Sequence, residues 1–230
     1  MTDLHTHILP GMDDGVKTVQ EAVEMLRIQA EQGIDTVALT PHYYRNNESV
    51  EDFLARREAA WKKLSKAVLG EACPSMILGA EVAWMPDISQ WPDLEQLCYQ
   101  NTKMLLIELP MMPWSAEVFA QLYRIENRRG IMPVIAHADR YFNCQSKRNF
   151  YKLLSTGYPV QVSAEAVLRF STRRRALELL EYCDGLLISD CHNLASRVPN
   201  IGPAMAMVEK KLGARMAGEI AAITADILQE

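Results

Sequence analysis

Short apolar runs alternate along this chain with longer amphipathic stretches. The runs Thr2–His7, Ile34–Thr40, Ser75–Glu81, Lys103–Leu109, Met132–His137, Pro159–Ser163 and Gly185–Ser189 read as strands. They are continuous rather than alternating, the pattern of parallel strands buried on both faces. Helical stretches fill the gaps. Thr18 to Glu21 reads as a capping box and Gly33 as the closing glycine, with Val19, Val23, Leu26 and Ala30 at helical spacing between them. Ser49 to Asp52 opens a second helix, and Ser115–Arg129 forms a third that ends at Gly130. Lys147–Ser155, Thr172–Tyr182 and Pro203–Leu228 supply the rest. Roughly seven strand–helix units, with no Pro/Gly-rich linker, predict one domain over residues 1–230 built as a closed or nearly closed β/α barrel. An open doubly wound sheet is the alternative that the same alternation allows.

Composition narrows the classes. Hydrophobic residues make up 49% of the 230, enough to bury a core. The net charge of −5 argues against a nucleic-acid partner, which usually calls for a basic footprint. No apolar run approaches the ~20 residues of a membrane span, so no membrane insertion is expected. The opening stretch MTDLHTHILPGMDDG is acidic and lacks the basic flank of a signal peptide. Cys73, Cys98, Cys144, Cys183 and Cys191 are scattered and odd in number, as expected for reduced thiols of a cytoplasmic protein.

Chemistry collects at one end of the strands. All five histidines, His5, His7, His42, His137 and His192, fall at or just beyond a predicted strand's C-terminal end, where barrel enzymes place their sites. Asp14, Glu81, Glu108 and Asp190 share that address. A carboxylate ending an apolar strand is costly unless its charge is compensated, and a metal does this directly. His5-Thr-His7 places two imidazoles on one strand face, and Asp190-Cys-His192 repeats the spacing on the last strand. Imidazole mixed with carboxylate suits Mn²⁺, Fe²⁺ or Zn²⁺ better than Ca²⁺. Any one of these histidines alone is more simply a core or surface residue; the signal is the set. Nine ligands exceed one ion and are plausible for three.

One stretch points elsewhere. Cys191 to Arg197 matches C-x5-R, the phosphate loop of cysteine-dependent tyrosine phosphatases. Such loops need glycines to let backbone N–H groups converge on phosphate, and this one has none.

The motifs Asp3 to Gly15, Leu39 to Tyr43, Gly79 to Glu81, Glu108 to Pro110, Ile135 to Tyr141 and Ser189 to Asn193 together resemble the PHP (polymerase and histidinol phosphatase) superfamily. Within it they are most similar to the bacterial manganese-dependent tyrosine-protein phosphatases of capsule and exopolysaccharide clusters, the CpsB/YwqE type. The resemblance implies a distorted (β/α)7 barrel of the PHP type with three divalent metal ions, most simply Mn²⁺, with Fe or Zn possible. It implies that His5, His7, Glu81 and Asp190 hold one ion. Glu81 then bridges to a second, held also by Glu108 and His137, and Asp14, His42 and His192 hold the third. The implied activity is hydrolysis of phosphotyrosine on a protein, the implied partner a bacterial tyrosine kinase that regulates exopolysaccharide synthesis. A small-molecule phosphatase such as histidinol phosphatase and a non-catalytic metal-bearing module are the alternatives. The chain departs from the family pattern at Ala138-Asp139, where Pro-Glu is usual, at Ala80, where Gln is frequent, and at Cys191, where a small residue is usual. No departure removes a ligand. Arg140 and Arg197 each follow a ligand by a few residues, and their planar forks suit phosphate oxygens.

Overall fold

In the computed structural model, residues 1–183 and 185–229 are described, and the chain runs β1 (Thr2–Thr6), α1 (Val19–Glu31), β2 (Thr36–Leu39), β3 (His42–Tyr43), α2 (Val50–Ala67), β4 (Ser75–Leu78), β5 (Glu81–Ala83), β6 (Met104–Glu108), α3 (Ala116–Arg129), β7 (Met132–Ile135), α4 (Lys147–Leu154), β8 (Gln161–Ser163), α5 (Ala164–Leu168), α6 (Phe170–Tyr182), β9 (Leu186–Ile188), α7 (Ile201–Leu212) and α8 (Ala214–Asp226). Every residue of β1 is buried. A strand covered on both faces has no wet side, which is why its sequence does not alternate.

All paired strands are parallel. They form a three-stranded sheet β1-β2-β4, a four-stranded sheet β3-β5-β6-β7 and the pair β8-β9. Backbone hydrogen bonds join these into a ring. Thr40 N–H donates to Thr6 O, and Gly79 N–H to Leu39 O. Ile135 N–H donates to Pro159 O, linking β7 to β8. Asp190 N–H to His5 O and His7 N–H to Cys191 O, each 2.9 Å, tie the end of β9 back to β1. The fold is therefore an α/β barrel of parallel strands with helices outside.

β3 continues the line of β2 just beyond the predicted strand Ile34–Thr40, and β4 and β5 divide the predicted strand Ser75–Glu81, with β5 running on to Ala83. Pro41 has no N–H to give the ladder, so pairing breaks there and resumes at His42. Glu81 N–H still donates to Pro41 O, keeping the two interrupted strands in register, with His42 opposite Glu81. Apolar side chains fill the barrel below the break. Leu4, Ala38, Leu106, Val134, Leu186 and Ile188 form one buried cluster that Tyr99 and Ile227 help to close.

The helices follow their local signals with exceptions. Thr18 caps α1 by accepting from Glu21 N–H, and Gly33 closes it at φ +77°. The predicted helix over Pro203–Leu228 is two helices, because Gly213 takes φ +92° and turns the chain between them. α5 was not predicted: it starts directly from Ser163, and α6 begins at Phe170 rather than Thr172. Among the described residues, no helix is long and apolar enough to cross a membrane.

Candidate metal centre

β1 delivers His5 and His7 to one place, with their Nε2 atoms 3.1 Å apart. Each ring is oriented by its other nitrogen. His5 Nδ1 donates to Gln161 Oε1 at 2.7 Å, and Gln161 Nε2 donates in turn to the Tyr99 hydroxyl. His7 Nδ1 donates to Asp13 Oδ2 at 2.7 Å. With both rings neutral their Nε2 lone pairs face each other, an arrangement that a cation between them satisfies.

Two carboxylates complete the shell. Glu81 Oε2 lies 3.2 and 3.3 Å from the two Nε2 atoms, and Asp190 Oδ1 lies 3.6 and 3.4 Å away. His5, His7 and Glu81 thus present three donor atoms within 3.3 Å of one another, close enough to share one ion, with Asp190 Oδ1 within 3.6 Å of both imidazoles. Asp190 Oδ1 and His192 Nε2 are buried and have no hydrogen-bond partner. Burying such atoms unpaired is costly, and a cation is a partner that fits both.

Two further groups adjoin the first. His137 Nε2 is 2.8 Å from Glu81 Oε1 and 3.6 Å from Glu108 Oε1. Asp14 Oδ1 is 3.5 Å from both His42 Nε2 and His192 Nε2. His42 Nδ1 also reaches Glu81 Oε2 at 2.8 Å. All nine predicted residues therefore meet at the strand ends, and Glu81 touches four of the five imidazoles. The donor chemistry fits divalent cations.

The electrostatics agree. Burial pushes the Glu81 carboxyl up, but His5, His137 and His42 override it and hold it well below the usual range. Burial also pushes Asp190 up, and His5, His7 and Arg140 pull it well down. Burial and then the neighbouring Glu81 raise Glu108. Burial and then His7 push His192 down to about 3, whereas burial lowers His7 and His42 but is outweighed by Asp13, Asp190 and Glu81 at His7 and by Glu81 at His42, which raise both; the carboxylates hold protons on these rings that a bound cation would displace. Backbone strain marks the same place. His137 sits at φ +29° and Asp190 at φ +53°, conformations that cost a non-glycine residue about 1–3 kcal/mol and cluster at functional sites.

Arg140 and Arg197 both donate to Asp190 Oδ2, from opposite sides in the chain. Each is about one-third exposed, 36% and 31%, so both line the open side of the cluster. The 3-10 turn Ala138–Asn143 carries Arg140, and Asp139 anchors it by accepting from Ser163 N–H at 2.8 Å.

Asp13 and Gln161 were not singled out in the sequence. Asp13 also accepts from His42 N–H and Gly15 N–H at 2.9 Å each, so one carboxylate organises both early histidines. Gly15 is required there, since a Cβ would lie 2.3 Å from His7 O. The available signal for Gln161 was a polar residue between Val160 and Val162 in an apolar run.

The C-x5-R stretch is built against phosphate. The N–H groups of Ala195, Ser196 and Arg197 all converge on Asn193 Oδ1, at 2.9, 2.8 and 3.2 Å. Cys191 is fully buried, and burial and then Asp3 push its thiol well up. A buried, protonated thiol is a poor nucleophile. Cys191→Ser is expected to retain most of the phosphatase activity, whereas His7→Ala, Glu108→Ala or His137→Ala loses nearly all. Steady-state rates on metal-loaded, folded samples check this, and an inactive Cys191→Ser enzyme with full metal content would overturn it.

A parallel β/α barrel with imidazoles and carboxylates gathered at its strand ends defines the class. The sequence profile described as "Capsular polysaccharide synthesis, CpsB/CapC" matches residues 1–228, and the chain belongs to that family. It is 33% identical over 227 residues to the tyrosine-protein phosphatase YwqE of Bacillus subtilis, covering 94% of this chain and 87% of that protein. It is 27% identical to the tyrosine-protein phosphatase CpsB of Streptococcus pneumoniae, covering 96% and 94%. A crystal structure from work on YwqE and CpsB, described as metal-dependent tyrosine phosphatases, superposes with a TM-score of 0.84 at 26% identity over 100% of this chain and 94% of that one. An organophosphorus hydrolase from Deinococcus radiodurans, at TM-score 0.57 and 14% identity, shares the fold alone.

Proposed function

We propose that this chain is a cytoplasmic, metal-dependent phosphatase that hydrolyses phosphotyrosine on a protein, a bacterial tyrosine kinase of capsule or exopolysaccharide synthesis. The observation that carries this reading is the gathering of five imidazoles and four carboxylates at one end of a barrel related over 94% of its length to YwqE. His5, His7, Glu81 and Asp190 would hold one ion, Glu81, Glu108 and His137 a second, and Asp14, His42 and His192 a third. Mn²⁺ is the ion we favour from the mixed donor set. Divalent ions there would lower the pKa of a bound water and offset the charge of a phosphate dianion.

The chain's own groups do the rest. Asp13 and Gln161 fix the tautomers of His7 and His5, so that both Nε2 lone pairs stay available. Arg140 and Arg197 offer planar forks at the open side of the cluster, where they can hold phosphate oxygens as charge builds. The leaving phenolate has a parent pKa of about 10, so it needs less proton donation than an alkoxide would.

Exhaustive treatment with a strong chelator is expected to abolish hydrolysis of a phosphotyrosine peptide, and Mn²⁺ to restore it best among divalent ions. Metal analysis and turnover on the same samples test this. Full activity without detectable metal would refute the metal-dependent reading, and preferential turnover of histidinol phosphate would replace the protein substrate with a small molecule.

A further inference from the structure

Between Lys147 and Arg175 the chain carries seven basic residues and one acidic, although its net charge is −5. The candidate metal centre uses none of these basic groups. α4 and α6 bear most of them, and these helices flank a groove of about 590 Å³ on the outside of the barrel. Lys147, Arg174 and Arg175 line it against a single carboxylate, Glu178, which pairs with Arg174 at 3.4 Å and leaves the groove net basic, and Phe142, Tyr151 and Tyr182 supply aromatic surface. The wall is packed: the Phe142 and Phe150 rings lie 4.6 Å apart, and the Arg175 guanidinium covers Phe142 at 5.5 Å. Tyr151 and Tyr182 are 67% and 81% exposed, far more than such rings need be without a partner.

Phe142, which lines the groove, belongs to the same 3-10 turn as Arg140, two residues further on, so the turn that brings Arg140 to Asp190 also supplies part of the groove wall. We infer that this groove binds the polypeptide segment flanking the phosphotyrosine, and that the segment is acidic with an apolar or aromatic side chain. The inference rests on the phosphotyrosine reading above. Charge complementarity selects an acidic occupant. The concave, aromatic-lined shape selects an extended peptide rather than an anionic membrane surface, which would want the apolar rings on a protruding face.

The test separates docking from chemistry. A labelled, unphosphorylated tyrosine peptide with acidic and leucine flanks is titrated by fluorescence anisotropy onto the metal-loaded full chain. Its phosphorylated form and p-nitrophenyl phosphate are followed as substrates. Lys147→Glu with Arg174→Glu is expected to weaken peptide binding and raise its KM about tenfold or more, with kcat and the p-nitrophenyl phosphate rate unchanged. Lys147→Gln with Arg174→Gln is expected to show a smaller loss in the same direction, with melting temperatures of both variants near the parent's. A lysine-flanked peptide should bind the parent more weakly than the acidic one. Undiminished binding of the acidic peptide to both double variants would overturn the inference. So would loss of phosphatidylserine-vesicle binding in those variants with peptide binding intact, which would assign the patch to a membrane. If the parent binds the acidic peptide through this groove but hydrolyses no phosphotyrosine, the docking inference stands and the phosphatase reading fails.

Discussion

Glu81→Gln is expected to lower kcat/KM on a phosphotyrosine peptide by at least about three orders of magnitude, an effect of the size seen when a metal's charge-stabilising role is removed. Glu81 is the one carboxylate shared between two of the groups. Its Oε1 meets His137 at 2.8 Å, and its Oε2 meets His42, His5 and His7 at 2.8, 3.2 and 3.3 Å. Glutamine keeps the volume of this 1%-exposed side chain, so packing is preserved and the change is one of charge and donor chemistry. The amide supplies one neutral oxygen and puts an N–H₂ group where an anion stood. At least one ion should be lost by metal analysis. The melting temperature of the variant should also rise less than that of the parent when Mn²⁺ is added, because a ligand stabilises a fold only through its affinity for it. A variant with parental metal content and parental Mn²⁺ stabilisation would remove Glu81 from the ligand set.

The nine clustered residues were legible because their types are conspicuous where they fall. A glutamate inside Met104 to Leu109, or an aspartate after Leu186 to Ser189, contradicts the apolar run around it, and only a compensating charge makes that tolerable. Other features left no such mark. The two-residue strand β3 beyond Pro41 and the break at Gly79-Ala80 depend on where pairing stops and resumes, which polarity does not mark. Gly213 lies in a helical pattern that a single glycine does not interrupt, and only its φ of +92° shows the turn. Asp13 and Asp14 are indistinguishable as neighbouring carboxylates. The fold separates them, turning Asp13 inward onto His7 Nδ1 and leaving Asp14 67% exposed beside His42 and His192. The left-handed backbone at His137 and Asp190 is likewise set by the surroundings: histidine and aspartate tolerate it better than most residues, but their identity does not say at which position it occurs.

Arg140→Ala is expected to lower kcat/KM by roughly two to three orders of magnitude, the loss seen for removal of a single transition-state hydrogen-bond donor. The structure offers a competing role, because Arg140 donates to Asp190 Oδ2 and could act only by holding that carboxylate in place. Two observations weigh against a purely structural part. Arg197 donates to the same oxygen, so Asp190 keeps a partner when Arg140 is removed. Arg140 is also 36% exposed, with its guanidinium at the open side of the cluster rather than sealed beneath it. A guanidinium there can turn one face of its fork to an incoming phosphate while Arg197 retains Asp190. The melting temperature and metal content of Arg140→Ala should therefore stay near the parent's. Arg140→Lys should recover only part of the rate, because a point charge lacks the planar pair of donors. Kinetics, metal analysis and thermal melts on the same preparations decide the matter. Loss of metal or of folding would make Arg140 a support for Asp190, and parental kinetics would mean that phosphate is held without it.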